Sequence, residues 1–169
     1  MVASKWRTND VIDPAIVAAM GAVEREDFAP DALRDMAYID RALSLGGGRA
    51  MNAPLVTGRL LVAAAPRAGE RVLLVGAATG YTAALLAGDP VRFVVGPLAD
   101  GAPDGAPYDV ILIDGAVERV PDALIAQMAE GGRIVGALRD GAVMRLVRGV
   151  TVGGCAALRR SAAIVAGAL

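Results

Sequence analysis

Two glycines bracket a tight turn near the middle of this 169-residue chain. The run from Arg71 to Val75 predicts a strand buried on both faces, and Gly76 and Gly80 follow it before an Ala/Leu-rich segment. Glycine tolerates positive φ and allows a ligand to approach the backbone closely. A strand, a glycine turn and a helix in this order are typical of ligand sites in open α/β sheets. The alternative is that both glycines only allow the strand and helix to pack closely.

The spacing of the two glycines narrows the kind of ligand. A phosphate-cradling loop would need GxxxxGK[ST], and neither that spacing nor its lysine occurs here. The dinucleotide pattern GxGxxG would need glycine at positions 78 and 81, which hold Ala78 and Tyr81. The turn therefore favours a nucleoside ligand with few phosphates over ATP, and it does not fit an NAD-dependent oxidoreductase.

Asp114 is the second candidate ligand residue. It follows a predicted strand, Asp109 to Ile113, at the edge of the sheet where ligands bind in open α/β folds. It either faces the ligand or is a turn residue before Gly115.

Strands and helices alternate along most of the chain, which predicts a doubly wound, mostly parallel sheet. We expect a helix that begins at Pro14 with Asp13 as its N-cap, and a loop from Leu45 to Pro54. The remaining predicted helices are 31–37, 54–65, 81–87 and 121–129, and the remaining predicted strands are 91–95, 133–138 and 142–148.

Composition excludes several classes of function. With no histidine and a single cysteine, Cys155, the chain has no Ser-His-Asp triad, no His-bearing zinc site and no internal disulfide, so we expect no metal. A net charge of -1 argues against a nucleic-acid binder. The N-terminus has no apolar signal segment, and no uncharged run reaches the about 20 residues of a membrane helix. We therefore expect a cytoplasmic protein.

Several motifs, in order, resemble those of the protein-L-isoaspartate O-methyltransferase family. The segment from Val72 to Ala87, VLLVGAATGYTAALLA, resembles the first S-adenosylmethionine motif of that family, Val-Leu-Glu-Ile-Gly-Thr-Gly-Ser-Gly-Tyr and its following helix. The loop from Gly46 to Pro54 resembles the element that ends in Thr-Ile-Ser-Gln-Pro. Further similar segments are 19–30, 37–40, 106–111, 121–124 and 131–133.

The resemblance implies a Rossmann-like methyltransferase fold, with an N-terminal helical extension over residues 1–53 and the methyltransferase domain over residues 54–169. It implies S-adenosylmethionine as cofactor and methyl transfer to the side-chain carboxylate of isoaspartyl residues in damaged proteins. Asn52 stands at the serine of the Thr-Ile-Ser element and is the candidate catalytic residue, or else a plain turn residue. The candidate cofactor-binding residues are Gly76, Ala77, Ala78, Gly80 and Asp114.

The chain departs from the family pattern at several ligand positions. Leu74 replaces the acid of the first motif, Ala78 its middle glycine, and Pro97 the aspartate of a later Gly-Asp element. A whole strand-helix unit, whose strand ends in the acid that holds the ribose, is missing between Ala87 and Val91.

These departures motivate an alternative, a binding or scaffold module that has kept the fold and lost the site. The deletion also predicts that the strand at 91–95 pairs directly with the strand at 71–75. A strand left unpaired at that edge would favour a homodimer.

Overall fold

The computed structural model describes residues 13–87, 91–93, 98–141 and 143–164. Its α-helices are α1 (Pro14–Ala22), α2 (Pro54–Ala64), α3 (Tyr81–Leu85) and α4 (Asp122–Ala126). Its strands are β1 (Leu43–Gly46), β2 (Arg49–Met51), β3 (Val72–Val75), β4 (Val91–Phe93), β5 (Tyr108–Val117), β6 (Met128–Asp140), β7 (Val143–Val152) and β8 (Cys155–Ile164). Short 3-10 turns cover Arg25–Phe28, Asp31–Met36, Leu98–Asp100 and Pro103–Gly105.

The first helix begins where the sequence predicts. Asp13 caps α1 because its side chain accepts from the backbone N–H groups of Ala15 at 2.9 Å and Ile16 at 3.2 Å, and Pro14 occupies the first turn. The second helix, α2, likewise begins at Pro54, and it ends in Ala65, whose φ of 42° is left-handed.

The large sheet has six strands in the order β4-β3-β5-β6-β7-β8. The first four run parallel, whereas β7 and β8 are added antiparallel. Val72 of β3 lies opposite Val91 of β4, so the predicted pairing across the deletion is confirmed for Val91–Phe93. The last two residues of that predicted strand, 94 and 95, lie outside the described residues.

The two faces of the sheet bury different residues because side chains alternate along a strand. Val72 and Leu74 of β3 pack with α1 and α2 on one face, whereas Leu73 and Val75 pack with α4 on the other. A third, smaller cluster joins the N-terminal segment to the start of α3 through Ala37, Leu43, Met51 and Tyr81, with Phe28 packed against it. This cluster lies next to the candidate site.

Several predicted element boundaries are wrong. The predicted loop from Leu45 to Pro54 is in fact mostly the hairpin β1–β2. The short helix predicted at 31–37 forms as a 3-10 helix over Asp31–Met36. The helices predicted at 81–87 and 121–129 are shorter, α3 and α4. The strand predicted at 142–148 extends to Val152 as β7, and residue 142 lies outside the described residues.

The described helices are all too short or too polar to cross a membrane. In the same part of the chain no group of three or more His, Cys, Asp or Glu side chains could hold a metal ion. The division of the chain at residues 53 and 54 stays a prediction.

Candidate functional site

The glycine turn connects β3 to α3 in a left-handed backbone conformation. Gly76 and Gly80 have φ values of 103° and 94°, and Ala77 and Ala78 between them have 38° and 31°. The turn is closed by hydrogen bonds from the Ala78 N–H to the Gly76 carbonyl and from the Gly80 N–H to the Ala77 carbonyl. The two glycines are therefore needed for the conformation of the turn, and the two alanines are strained there.

Ala78 is the position at which this strain can be tested. We expect Ala78→Gly to raise the free energy of unfolding by about 0.5–1 kcal/mol, because left-handed alanine costs roughly 1–2 kcal/mol and the entropy of glycine offsets part of the gain. Chemical denaturation measures the change. Ala84→Gly, in the regular helix α3, is the matched control and should lower stability by about 1 kcal/mol. A destabilised Ala78→Gly would show that the turn does not strain alanine.

Asn52 and Asp114 meet directly, although they are 62 positions apart. Asn52 lies between β2 and α2, and its Nδ2 donates to Asp114 Oδ1 at 2.9 Å. Both residues are buried, with 4% and 6% of their surface exposed. The structure thus brings together the candidate catalytic residue and one candidate cofactor-binding residue.

Asp114 lies inside β5, so the alternative reading of Asp114 as a turn residue is wrong. The strand does not end at Ile113 but continues to Val117. Pairing of β5 with β3 stops at Ile113, and its register with β6 shifts between Leu112 and Ala116. Irregular pairing of this kind re-aims side chains near active sites. It places Asp114 just beyond the last residue paired with β3.

The Asp114 carboxyl is held in an environment that disfavours its charge. Burial raises the pKa of Asp114, and this effect outweighs three that lower it: hydrogen bonds to the Thr82 hydroxyl and the Asn52 amide, and the positive charge of Arg25. A buried carboxyl with defined partners at the carboxyl ends of parallel strands is a candidate ligand group.

Arg25 is a residue of this site that sequence reasoning missed. It is only 1% exposed, and its Nε donates to the Ala37 carbonyl at 2.7 Å while Nη2 donates to the Asn52 carbonyl at 2.5 Å. Its guanidinium carbon lies 4.7 Å from the centre of the Tyr81 ring. Arg25 lies in segment 19–30, which resembles the family pattern, but the charged residues around it did not distinguish it from a solvated residue.

The residues at this edge fit a ligand that carries positive charge. Asp114 supplies a buried carboxylate, and the Thr79 hydroxyl, within the glycine turn, is buried without a hydrogen-bond partner among the described residues. A buried hydroxyl without a hydrogen-bond partner costs free energy unless a ligand or a water molecule supplies that partner. The sulfonium and ammonium groups of S-adenosylmethionine suit this donor set.

The structure shows the surroundings of two residues at which the chain departs from the family pattern. Leu74 is fully buried in the core on the α1 and α2 face, so the first motif contributes an apolar core residue at that position. Ala78 adds a methyl group to the turn that carries the other candidate residues, Gly76, Ala77 and Gly80. Pro97, the third departure, lies outside the described residues.

Comparison with known proteins agrees with the family that the sequence motifs resemble. The sequence model of the protein-L-isoaspartate(D-aspartate) O-methyltransferase family matches residues 1–89 and 87–148. The chain is 36% identical to protein-L-isoaspartate O-methyltransferase 1 of Rhodopseudomonas palustris, over 88% of this chain and 72% of the relative. It is also 36% identical to the Methylorubrum populi protein-L-isoaspartate O-methyltransferase, over 80% and 76%.

The alignments also bear on the shortened sheet. The Rhodopseudomonas alignment runs over 176 residues, more than the 169 of the whole chain, so the relative has residues that this chain lacks. The family match breaks into two segments that meet at residues 87–89, between α3 and β4. That is the position at which the missing strand-helix unit was predicted.

Solved structures share the fold. A protein-L-isoaspartate O-methyltransferase superposes with a TM-score of 0.83 at 20% identity, over 99% of this chain and 64% of its own. A Plasmodium falciparum protein assigned to the beta-aspartate methyltransferases, in complex with S-adenosyl-L-homocysteine, gives 0.82 at 14% identity, over 99% and 96%. The Rossmann-like methyltransferase fold is confirmed. The chain belongs to the protein-L-isoaspartate(D-aspartate) O-methyltransferase family, whose members use S-adenosylmethionine.

Proposed function

We propose that this chain binds S-adenosylmethionine and transfers its methyl group to the side-chain carboxylate of isoaspartyl residues in damaged proteins. The observation that carries the proposal is the buried contact between Asn52 and Asp114 at the carboxyl ends of the parallel strands. Family membership supports it, as does the S-adenosyl-L-homocysteine bound to the Plasmodium relative.

The roles of the two buried residues follow from their chemistry. Asp114 would hold the positively charged part of the cofactor, with the glycine turn and the Thr79 hydroxyl beside it. Asn52 would lie beside the carboxylate that receives the methyl group, where its amide can donate or accept a hydrogen bond. Because Asn52 already contacts Asp114, the donor and acceptor groups would be held by one connected pair.

The reaction suits a chain without histidine. The cofactor supplies an activated methyl group on a sulfonium, and a carboxylate is already an anionic nucleophile at neutral pH. No general base is required. The chain has mainly to align the two groups and exclude water, and alignment of bound reactants contributes about 7–11 kcal/mol in favourable cases.

The alternative is a family member that keeps the fold and has lost the reaction. The apolar Leu74, the strained Ala78 and the shortened sheet favour it, because each removes or alters a ligand position. Loss of one hydrogen bond to a charged group costs about 1.5–3 kcal/mol, or one to two decades of affinity.

Titration calorimetry with S-adenosylmethionine and with S-adenosyl-L-homocysteine tests the cofactor half of the proposal. We expect saturable heat with both ligands. The absence of heat at millimolar ligand, from a protein that unfolds cooperatively, would rule out cofactor binding and leave the scaffold alternative.

We further propose that the substrates are damaged proteins or peptides and that the protein itself acts in the cytoplasm. The single cysteine, Cys155, supports the location, since one cysteine allows no internal disulfide.

The homodimer also stays a prediction. Among the described strands, β4 is at the edge of the sheet and has β3 as its one neighbour, so it could pair with a second copy. Sedimentation equilibrium of the full chain distinguishes a dimer from a monomer.

A further inference from the structure

We propose that Arg25 is a positioning residue: its guanidinium holds the main chain at Asn52 against the start of α3 and thereby keeps the Asn52 side chain on Asp114. The proposal rests on the proposed function for its effect on catalysis. Its structural part, the placement of Asn52, is independent of whether methyl transfer occurs.

Arg25 joins three segments that are far apart in the sequence. Its side chain leaves the 3-10 turn Arg25–Phe28 and donates to the Ala37 carbonyl and to the Asn52 carbonyl. The plane of the same group lies over the ring of Tyr81, which begins α3 immediately after the glycine turn. Phe28 packs on that ring as well, with centroids 5.7 Å apart. The guanidinium therefore contacts both the segment that carries Asn52 and the helix α3, which follows the glycine turn.

The contact to Asn52 is made to its main chain, which leaves the Asn52 side chain available for Asp114. The Asn52 carbonyl accepts from Arg25 Nη2, and the Asn52 amide nitrogen donates to Asp114 Oδ1. A shift of the loop by one ångström would break the second bond, since hydrogen bonds between these atom types fail beyond about 3.5 Å. Holding the carbonyl thus fixes where the amide points.

The burial of Arg25 indicates more than a packing role. A fully buried guanidinium is expensive, and here Nη1 has no hydrogen-bond partner among the described residues. Burial lowers the pKa of Arg25, while its neighbours Tyr81, Asp114 and Tyr38 raise it. Arginine stays protonated in proteins, so a positive charge remains beside the Asp114 carboxyl. Arg133, also buried, is paired with Glu70 near the start of β3 and serves as a comparison.

Two substitutions separate the hydrogen bonds from the charge. Arg25→Lys keeps the charge and loses the planar fork that reaches both carbonyls, whereas Arg25→Gln loses the charge as well. We expect Arg25→Lys to lower kcat for an isoaspartyl peptide at least tenfold, while KM for S-adenosylmethionine changes by less than threefold. Arg133→Lys, the buried control, should leave kcat of the folded protein unchanged.

Two NMR readouts of the protein without cofactor do not depend on turnover. The side-chain amide signals of Asn52 should move in both Arg25 variants and stay in place in Arg133→Lys. The titration midpoint of Asp114, followed at its carboxyl carbon, should rise in both Arg25 variants, because each loses the hydrogen bond from the Asn52 amide that lowers the pKa of Asp114. It should rise further in Arg25→Gln, which also removes the positive charge.

The outcomes distinguish the two proposals. If the wild-type protein transfers no methyl group, the proposed function fails, and the amide signals of Asn52 still decide the role of Arg25. If Arg25→Lys is folded by circular dichroism and has wild-type kcat and wild-type Asn52 signals, the positioning role is overturned. The same holds if kcat falls equally in Arg25→Lys and Arg133→Lys, since a general loss of packing would then explain both.

Discussion

Replacing Asp114 with asparagine is expected to weaken S-adenosylmethionine binding ten- to hundredfold while making the protein without cofactor more stable at neutral pH. The loss of affinity follows from removing a charged partner, worth about 1.5–3 kcal/mol. The gain in stability follows from burial, which raises the pKa of the Asp114 carboxyl and opposes its ionised form. Asparagine keeps the size and can still accept from the Asn52 amide.

The effect of Asp114→Asn on stability depends on pH in a defined way. Because the folded pKa of Asp114 lies above its unfolded value, the stability linked to this group is full below the unfolded pKa and is lost as pH rises through the folded pKa. Asp114→Asn removes that loss, so we expect greater stability near pH 7 and little change near pH 3. Denaturation from pH 3 to 8 and calorimetry measure both quantities.

A matched control for Asp114→Asn is Asp104→Asn, at an exposed turn position outside the site. It should change neither stability nor affinity measurably. Cofactor affinity of Asp114→Asn equal to that of the wild type would contradict the role proposed for Asp114. A loss of stability at neutral pH would contradict the account of its environment.

The substitution Arg133→Met is expected to lower the free energy of unfolding by about 2–4 kcal/mol, because Arg133 is buried and Glu70 is partly buried. Breaking a fully buried ion pair by removing one partner costs about 3–5 kcal/mol. Arg133 donates to both oxygens of Glu70, at 2.9 and 2.6 Å, and to the carbonyls of Ala64 and Ala65 at the end of α2. Methionine would remove these donors, and the Glu70 carboxylate would keep the backbone N–H of Arg67, at 2.8 Å. Chemical denaturation of both proteins at pH 7 measures the loss.

The same pair makes stability depend on pH in the acid range. Hydrogen bonding to Arg133 lowers the pKa of Glu70. Its stabilisation is therefore present above the unfolded pKa and is lost as pH falls through the folded pKa. Arg133→Met should weaken this dependence, and the backbone N–H of Arg67 would keep part of it. The control is Arg160→Met, whose pair with Asp140 is 59% and 61% exposed and should contribute less than about 1 kcal/mol. Equal losses of unfolding free energy in Arg133→Met and Arg160→Met would contradict the difference expected between these two ion pairs.

The parallel part of the fold could be predicted because its signals are local. An apolar run followed by a glycine turn and a small-residue helix predicts β3 and α3, and the run at Asp109–Ile113 predicts most of β5. The pairing of β4 with β3 followed from the deletion, since the first strand needs a neighbour. Helix ends were less well predicted: α4 ends at Ala126 because β6 already begins at Met128.

The antiparallel hairpins β1–β2 and β7–β8 were missed, although the sequence carries a signal for each. Gly47-Gly48 turns β1 into β2, and Gly153-Gly154 turns β7 into β8, with positive φ at all four residues. Two consecutive glycines with positive φ are typical of two-residue hairpin turns that match the twist of the strands. The first pair was taken for part of a flexible loop, because the strands beside it are short.

The contacts of the site could not be predicted from the sequence. Asn52 and Asp114 were each singled out, Asn52 from a motif and Asp114 from the end of a strand. Their hydrogen bond depends on the register of β5 and on the hairpin before Asn52, which are set by long-range packing. Arg25 was not singled out within the similar segment 19–30, because the burial of one arginine in a charged segment is decided by the residues that fold over it.

Methyl transfer from isotopically labelled S-adenosylmethionine to an isoaspartyl peptide, compared with the aspartyl peptide of the same sequence, tests the central claim most directly. The account predicts saturable transfer to the isoaspartyl peptide alone, as a base-labile ester. A folded protein that binds the cofactor by calorimetry and labels neither peptide above background would contradict it, and would identify the chain as a binding module of this family.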